Sequence, residues 1–136
     1  MKIVVIDGQG GRLGALLCEE LKRALPTEEL LAIGTNSVAT AAMLKGGADL
    51  GATGENPVVR AVMAADVVLG PMGIVVAHAI LGEVTPAMAE AVGGCKARKI
   101  LVPMNSCGVA VAGVQEQPLN RYVEQAVEQA CALLGV

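Results

Sequence analysis

The sequence predicts a single α/β domain over residues 1–136, a three-layer α/β/α Rossmann-like sandwich around a mostly parallel sheet of five to six strands. Two observations predict this class. Short apolar runs alternate with amphipathic segments along the chain, and a glycine-rich turn directly follows the first of these runs. The composition is 54% hydrophobic with one aromatic residue, Tyr122, so we expect an aliphatic core.

The first half of the chain is predicted to form three strands and three helices. The first strand covers residues 2–7, an apolar run typical of a strand with helices on both faces. Further strands are expected near residues 30–34 and 48–51. Helices are expected over 13–25, from a cap at Thr35 or Ser37 through Lys45, and over 55–64.

The second half is predicted to add two parallel strands, an edge strand and three helices. The strands cover residues 66–70 and 99–103, and the helices cover 74–81, 86–92 and 119–134. The link between residue 103 and the run 109–114 is too short for a helical crossover. This run is therefore expected to pair antiparallel with the fifth strand at an edge of the sheet.

The glycine-rich turn has the spacing of a dinucleotide-binding fingerprint. Gly8, Gly11 and Gly14 lie three residues apart, after a predicted strand and at the start of a predicted helix. Glycines there permit a tight turn and close backbone approach, and the helix N-terminus offers free N–H groups to a phosphate. The candidate cofactor-binding residues are Asp7, Gly8, Gln9, Gly10, Gly11, Arg12, Leu13 and Gly14. The alternative is that the glycines only allow close helix–strand packing.

The end of the second strand favours NADP over NAD as the cofactor. NAD-binding folds usually carry an acid there for the ribose hydroxyls, whereas this chain has the neutral Thr35, Asn36 and Ser37. Together with Arg12 these groups would hold a ribose phosphate. The alternative for Thr35 and Ser37 is helix capping. Asp7 is expected to bind a sugar hydroxyl or a cation, or to accept N–H groups of the turn.

Three further loops are expected at the same edge of the sheet. Gly70 and Pro71 would complete the cofactor site, and the candidate substrate-binding residues are Glu55, Asn56, Asn105 and Cys107. Each has a simpler alternative: Glu55 suits the first turn of a helix, and Cys107 has no predictable activating base. His78 is expected to pack within a helix.

Composition and missing motifs exclude several classes of function. A net charge of −3 with scattered basic residues argues against nucleic acid. Four cysteines without a CxxC pair, and one His, argue against zinc and disulfides and suit a reducing cytoplasm. Glycine and proline at 70–73 interrupt the apolar stretch 61–82, which argues against a membrane span. P-loop and HExxH motifs are missing, and Tyr122 is followed at the dehydrogenase spacing by Ala126 rather than Lys.

Eight short segments are distributed along the chain: Val-Ile-Asp-Gly-Gln-Gly-Gly at 5–11, Gly-Thr-Asn at 34–36, Ala-Thr at 39–40, Met-Leu-Lys at 43–45, Gly-Ala-Thr-Gly-Glu-Asn at 51–56, Gly-Pro at 70–71, Gly-Glu-Val-Thr-Pro-Ala-Met-Ala-Glu at 82–90 and Val-Pro-Met-Asn-Ser-Cys at 102–107. Together they resemble a small bacterial family, a domain of unknown function found mainly in anaerobic Gram-positive bacteria. The resemblance covers nearly the whole chain, and it implies a free-standing cytoplasmic protein without assigning a substrate or catalytic residue.

The sequence leaves three functions open. The first is a nucleotide-binding protein that uses the 8–14 loop, with an oxidoreductase as its enzymatic form. The second is a non-catalytic sensor or binding module for a small phosphorylated or anionic metabolite, and the third is a structural partner subunit. Because the chain is so apolar, a monomer would leave apolar surface exposed to water. We therefore expect a homo-oligomer in each case.

Overall fold

Five strands alternate with five helices in the computed structural model, which describes residues 1–104 and 107–135. A short 3₁₀ turn, Met72–Val75, follows the fourth strand. The strands are β1 Ile3–Asp7, β2 Leu30–Gly34, β3 Leu50–Thr53, β4 Val67–Pro71 and β5 Arg98–Val102. The helices are α1 Arg12–Ala24, α2 Ser37–Lys45, α3 Glu55–Ala64, α4 Pro86–Gly94 and α5 Leu119–Leu133.

The strands form one parallel sheet in the order β3-β2-β1-β4-β5. β1 lies at its centre, with Ile3 opposite both Leu30 of β2 and Val67 of β4. The predicted Rossmann-like α/β class is therefore confirmed. Helices α1, α2 and α5 pack on one face of this sheet, and α3 and α4 pack on the other. Right-handed crossovers that run outward from β1 in both directions produce this arrangement.

Alternate side chains of β1 pack in two separate apolar cores, one on each face of the sheet. Ile3 and Val5 pack in the cluster that contains α1, α2 and α5. Val4 and Ile6 pack in the cluster that contains α3, α4 and the 3₁₀ turn. Because successive strand residues point to opposite faces, a continuous apolar strand is what a three-layer sandwich requires at its centre.

Two predicted elements are wrong. Residues 109–114 form no strand, since Gly108 just before the run and Gly113 within it adopt φ of 75° and 84°, which an extended strand does not have. β5 is consequently an edge of the described sheet. The helix expected over 74–81 is replaced by turns, in which His78, Ile80 and Leu81 have φ of 68°, 55° and 53°. His78 is exposed there rather than packed in a helix.

Two boundaries near α2 also differ from the prediction. β3 covers 50–53 rather than 48–51, because the Ala48 amide donates to the Met43 carbonyl and closes α2. Asn36, not Thr35 or Ser37, caps α2, and its side-chain oxygen accepts the Ala39 amide at 2.9 Å. Among the described residues, none of the helices has the length and apolar character that a bilayer crossing needs.

Candidate functional site

The order of the strands places the candidate site at the carboxyl ends of β1 and β4. The chain runs from β1 outward through β2 to β3 on one side, and then builds β4 and β5 on the other. In parallel α/β sheets a ligand site is expected at such a reversal, between the loops that follow the two strands. These are the glycine-rich loop 8–11 after β1 and the turns of 72–85 after β4.

Asp7, the last residue of β1, ties the glycine-rich loop together from inside. Its Oδ1 accepts the Gly8 amide at 2.8 Å, and its Oδ2 accepts the Gly14 amide at 2.6 Å. Burial raises the pKa of Asp7, the two amide hydrogen bonds oppose this, and the nearby charge of Glu83 adds to the increase. Of the roles considered from sequence, this geometry is that of an acceptor for the turn amides.

The glycines of the loop differ in what surrounds them. A Cβ on Gly11, which has φ of 72°, would lie 2.8 Å from the Ala39 Cα atom, and one on Gly14 would lie 2.8 Å from the Asp7 Cβ atom. Both therefore allow close packing of α1 on its neighbours. A Cβ on Gly10 would meet nothing within 4 Å. Gly10 is the loop glycine that faces open space.

The start of α1 presents backbone donors. The Gly11 amide is taken by the Gly8 carbonyl at 2.9 Å. Within the described parts of the chain, the amides of Gly10, Arg12 and Leu13 pair with no acceptor. Gly10 and Arg12 are exposed. Free amides at a helix N-terminus, where the helix dipole is positive, are the usual donors to a bound phosphate.

Glu83 lies beside the glycine-rich loop, at the ends of β1 and β2, and the sequence did not predict it as a site residue. Its Oε1 accepts the Gln9 amide at 2.9 Å, the Thr35 hydroxyl at 2.6 Å and the Asn36 amide group at 2.8 Å. Partial burial raises the pKa of Glu83, but the hydrogen bonds from Thr35, Gln9 and Asn36 outweigh it, so the pKa lies below its ordinary value. The carboxylate is therefore a fixed negative charge at the ends of β1 and β2.

Glu83 reaches this place on a closed loop of residues 76–84. The His78 amide donates to the Val84 carbonyl at 2.7 Å, and the Val84 amide donates to the Ala79 carbonyl at 3.1 Å. A Cβ on Gly8 would lie 3.0 Å from both the Glu83 Oε1 and the Ile80 Cγ2 atoms. The loop thus packs against the start of the glycine-rich turn.

The predicted substrate-binding residues are only partly brought together. Glu55 and Asn56 are exposed in the first turn of α3, where Glu55 accepts the Thr85 hydroxyl at 2.5 Å. Cys107 is half-buried, and its thiol donates to the Met104 carbonyl at 3.5 Å. Asn105 lies outside the described residues.

The remaining predicted cofactor residues lie at the end of β4 and at the start of α2. Gly70 and Pro71 are buried at the end of β4, where Gly70 lies against the Ile6 carbonyl of β1. Ser37 is exposed in the first turn of α2. Gly70 therefore permits the close approach of β1 and β4 at this end of the sheet.

A cavity of about 350 Å³, lined in part by Glu116 and Gln117, lies beyond the end of β5. Met104, in its wall, packs against the same core cluster as Leu13 of α1. Its other apolar walls are formed by Pro103, Val109, Ala110, Val111, Val114, Leu119 and Tyr122. In the described part of the chain, no group of three or more His, Cys, Asp or Glu side chains is arranged to hold a metal ion.

Comparisons with known proteins give a family and a fold. Residues 2–134 match the family described as "Domain of unknown function (DUF3842)". A search of curated proteins finds no significant match. The fold is similar to the crystal structure of a dodecameric FMN-dependent UbiX-like decarboxylase from Escherichia coli O157:H7. The TM-score is 0.53 at 17% identity, over 100% of this chain and 96% of that one.

The expectation of NADP is wrong. A solved structure with a similar fold is that of an FMN-dependent protein. The site supplies a physical reason: the Glu83 carboxylate occupies the donors of Thr35 and Asn36 that were expected to hold a ribose phosphate. A second phosphate there would face a negative charge.

Proposed function

We propose that this chain, which belongs to the DUF3842 family, binds a mononucleotide through its phosphate at the N-terminus of α1, with FMN as the ligand. The observation that carries the proposal is the set of amides at Gly10, Arg12 and Leu13 that have no partner within the described residues. Three unpaired N–H donors within four residues suit a phosphate with several acceptor oxygens.

The surroundings of these amides support an anionic ligand. Gly10 has no neighbour within 4 Å of its missing side chain, so a phosphate can approach the backbone there. The exposed Arg12 adds a positive charge to the helix dipole. Asp7, the nearest acid on β1, already has its two oxygens directed to the Gly8 and Gly14 amides.

The choice of FMN among mononucleotides is supported by the fold. The decarboxylase with the similar fold is FMN-dependent. When bound, FMN supplies reversible one- and two-electron chemistry. The chain's own groups hold its phosphate, so an oxidoreductase and a non-catalytic flavin-binding module both begin with this step.

A fluorescence titration with FMN and with riboflavin tests the proposal. Riboflavin lacks the phosphate, so we expect FMN to bind about tenfold more tightly or better, as one or two charge-assisted hydrogen bonds imply. Gly10→Val should weaken FMN binding at least as much without lowering the melting temperature, because its side chain enters open space. Gly93→Val is the matched control, since Gly93 is also exposed and open but lies in α4.

The outcomes of this titration separate the candidate functions. Equal affinity for FMN and riboflavin, or full FMN binding by Gly10→Val, contradicts a phosphate site at α1. If no flavin binds but a sugar phosphate raises the melting temperature, the protein is a binding module for a small phosphorylated metabolite instead.

We also propose that the chain forms a homo-oligomer. The exposed side chains of Val109, Val111 and Val114 lie beside the unpaired edge of β5 and leave apolar surface uncovered. The decarboxylase with the similar fold is dodecameric. Sedimentation velocity tests this: the wild type should sediment as an oligomer, and Val111→Asp should dissociate it. A monomeric wild type contradicts the proposal.

A cytoplasmic location is proposed as well, because four cysteines without a CxxC spacing suit a reducing compartment. Fractionation of the producing cells checks it. Recovery of the protein outside the cytoplasmic fraction contradicts it.

A further inference from the structure

Glu83 supplies an acid at the end of β2, although β2 and the residues after it contain none. In many dinucleotide-binding folds the second strand itself ends in an acid that accepts ribose hydroxyls. Here β2 ends at Gly34, and the next two side chains, Thr35 and Asn36, both donate to the Glu83 carboxylate. The acid therefore reaches this place from the 76–84 loop, which packs against the start of the glycine-rich turn.

The hydrogen bonds of Glu83 involve one of its two oxygens. The Gln9 amide, the Thr35 hydroxyl and the Asn36 amide group all donate to Oε1. Within the described residues, Oε2 accepts no hydrogen bond. Three donors on Oε1 fix the position of the carboxylate, while Oε2 keeps the acceptor capacity that a ligand hydroxyl needs.

Glu83 does not fill the proposed phosphate site. A carboxylate that blocked this site would take the amides at the start of α1, yet those of Gly10, Arg12 and Leu13 have no partner among the described residues. Glu83 takes the neighbouring Gln9 amide and the two side chains that follow β2. The phosphate donors and the carboxylate are thus adjacent and separately available.

We propose that Glu83 determines the ligand specificity of the site by accepting a hydroxyl of the ligand's sugar or ribityl chain through Oε2. The inference rests on the proposed binding of a mononucleotide phosphate at α1. Thr35 is a positioning residue, because it holds Oε1 and does not itself touch the ligand. The fixed negative charge also repels ligands that carry a second phosphate near that hydroxyl.

The test compares two ligands that differ only in hydroxyl groups. One is FMN, and the other is its analogue with a pentyl chain, bearing the same terminal phosphate, in place of the ribityl chain. The wild type should prefer FMN about ten- to hundredfold, as expected for a hydrogen bond to a charged acceptor. Glu83→Gln should reduce this preference to less than about threefold and leave the affinity for the pentyl analogue nearly unchanged.

Thr35→Val and Glu90→Gln complete the set of variants. Thr35→Val removes one donor that fixes Oε1, so this variant should also show a smaller preference for FMN. It provides a second test of the proposal if Glu83→Gln does not fold. Glu90, exposed on α4, is the control for loss of one carboxylate, and Glu90→Gln should keep the wild-type preference.

Each other outcome overturns the inference in a recognisable way. An unchanged preference in folded Glu83→Gln shows that the carboxylate does not contact the ligand. Tighter binding of both ligands by this variant shows that Glu83 blocks the site. If neither flavin binds to the wild type, the proposed function fails, and the inference fails with it.

Discussion

The Oδ2 atom of Asp7 accepts the amide of Gly14 at 2.6 Å, across the full length of the glycine-rich loop. The same carboxylate accepts the Gly8 amide at 2.8 Å through Oδ1. One side chain at the end of β1 thus fixes both the first and the last amide of the loop. Of the amides between them, those of Gly10, Arg12 and Leu13 have no partner among the described residues, and these are the donors that the proposed phosphate site requires.

Asp7→Asn should destabilise the protein. An Asn side chain has one acceptor oxygen, and its NH₂ group would face the second amide N–H. Leaving that buried N–H unpaired should lower the free energy of unfolding by about 1–2 kcal/mol, measured by urea denaturation. The control is Asp66→Asn, because Asp66 is exposed and accepts one amide, that of Lys2. Equal stability of Asp7→Asn and the wild type would show that the loop does not depend on the double acceptor.

The same substitution should destabilise the protein at Gly11 and leave its stability nearly unchanged at Gly10. Gly11→Ala places a Cβ 2.8 Å from the Ala39 backbone at a φ of 72°, so we expect a loss of about 2–4 kcal/mol from steric strain and crowding. Gly10→Ala enters open space and should change stability by less than about 0.5 kcal/mol. Thermal and urea unfolding of the two variants measure the difference. A stable Gly11→Ala would mean that α1 and α2 are not packed as described.

Local sequence predicted the elements whose apolar pattern matches their surroundings. β1 is apolar on both faces because both faces are covered, and α1 carries its apolar residues on one stripe because only one side is buried. The helix predicted over 74–81 was wrong. Ile74 and Ala79 do enter the core, but they reach it through turns rather than a helix. An apolar run alone does not reveal whether the chain meets the core in a helix or in left-handed turns.

The glycine-rich loop could be predicted, but its carboxylate partner could not. Asp7, Gly8 and Gly14 are close in sequence, and the residue pattern predicted a strand, a turn and a helix around them. Glu83 lies 74 residues from Gln9 and 48 from Thr35, and the fold alone brings them together. Gly82 and Glu83 stand shortly before α4, which is capped by Thr85 and begins at Pro86. This pattern indicates a constrained segment, but it does not indicate which residues Glu83 contacts.

Cys18 should be the least reactive of the four thiols. It is fully buried in α1, and burial, with a further contribution from the charge of Asp7, raises its pKa to about 12. Thiolate is the reactive form, so iodoacetamide should label the half-buried Cys95, Cys107 and Cys131 of the native protein first. Mass spectrometry of labelled peptides measures this order, with urea-unfolded protein as the control. Labelling of native Cys18 as fast as Cys131 would contradict its placement.

The Glu83 hydrogen bonds should make stability depend on pH in the acid range. The pKa of Glu83 in the folded protein lies below its ordinary value of 4.5, because the hydrogen bonds from Thr35, Gln9 and Asn36 outweigh the effect of burial. A group with a lowered folded pKa stabilises the protein fully above the unfolded pKa, and this contribution is lost as the pH falls through the folded pKa.

The difference in unfolding free energy between the wild type and Glu83→Gln should therefore be largest at neutral pH and shrink in acid. Loss of the Glu83 charge should also lower the pKa of Asp7, which that charge raises. Urea unfolding of both proteins between about pH 3.5 and pH 7 measures the difference. The control is Glu90→Gln, which removes an exposed carboxylate on α4. A difference that stays constant or grows in acid would show that the Glu83 carboxylate is not held by these three donors in solution.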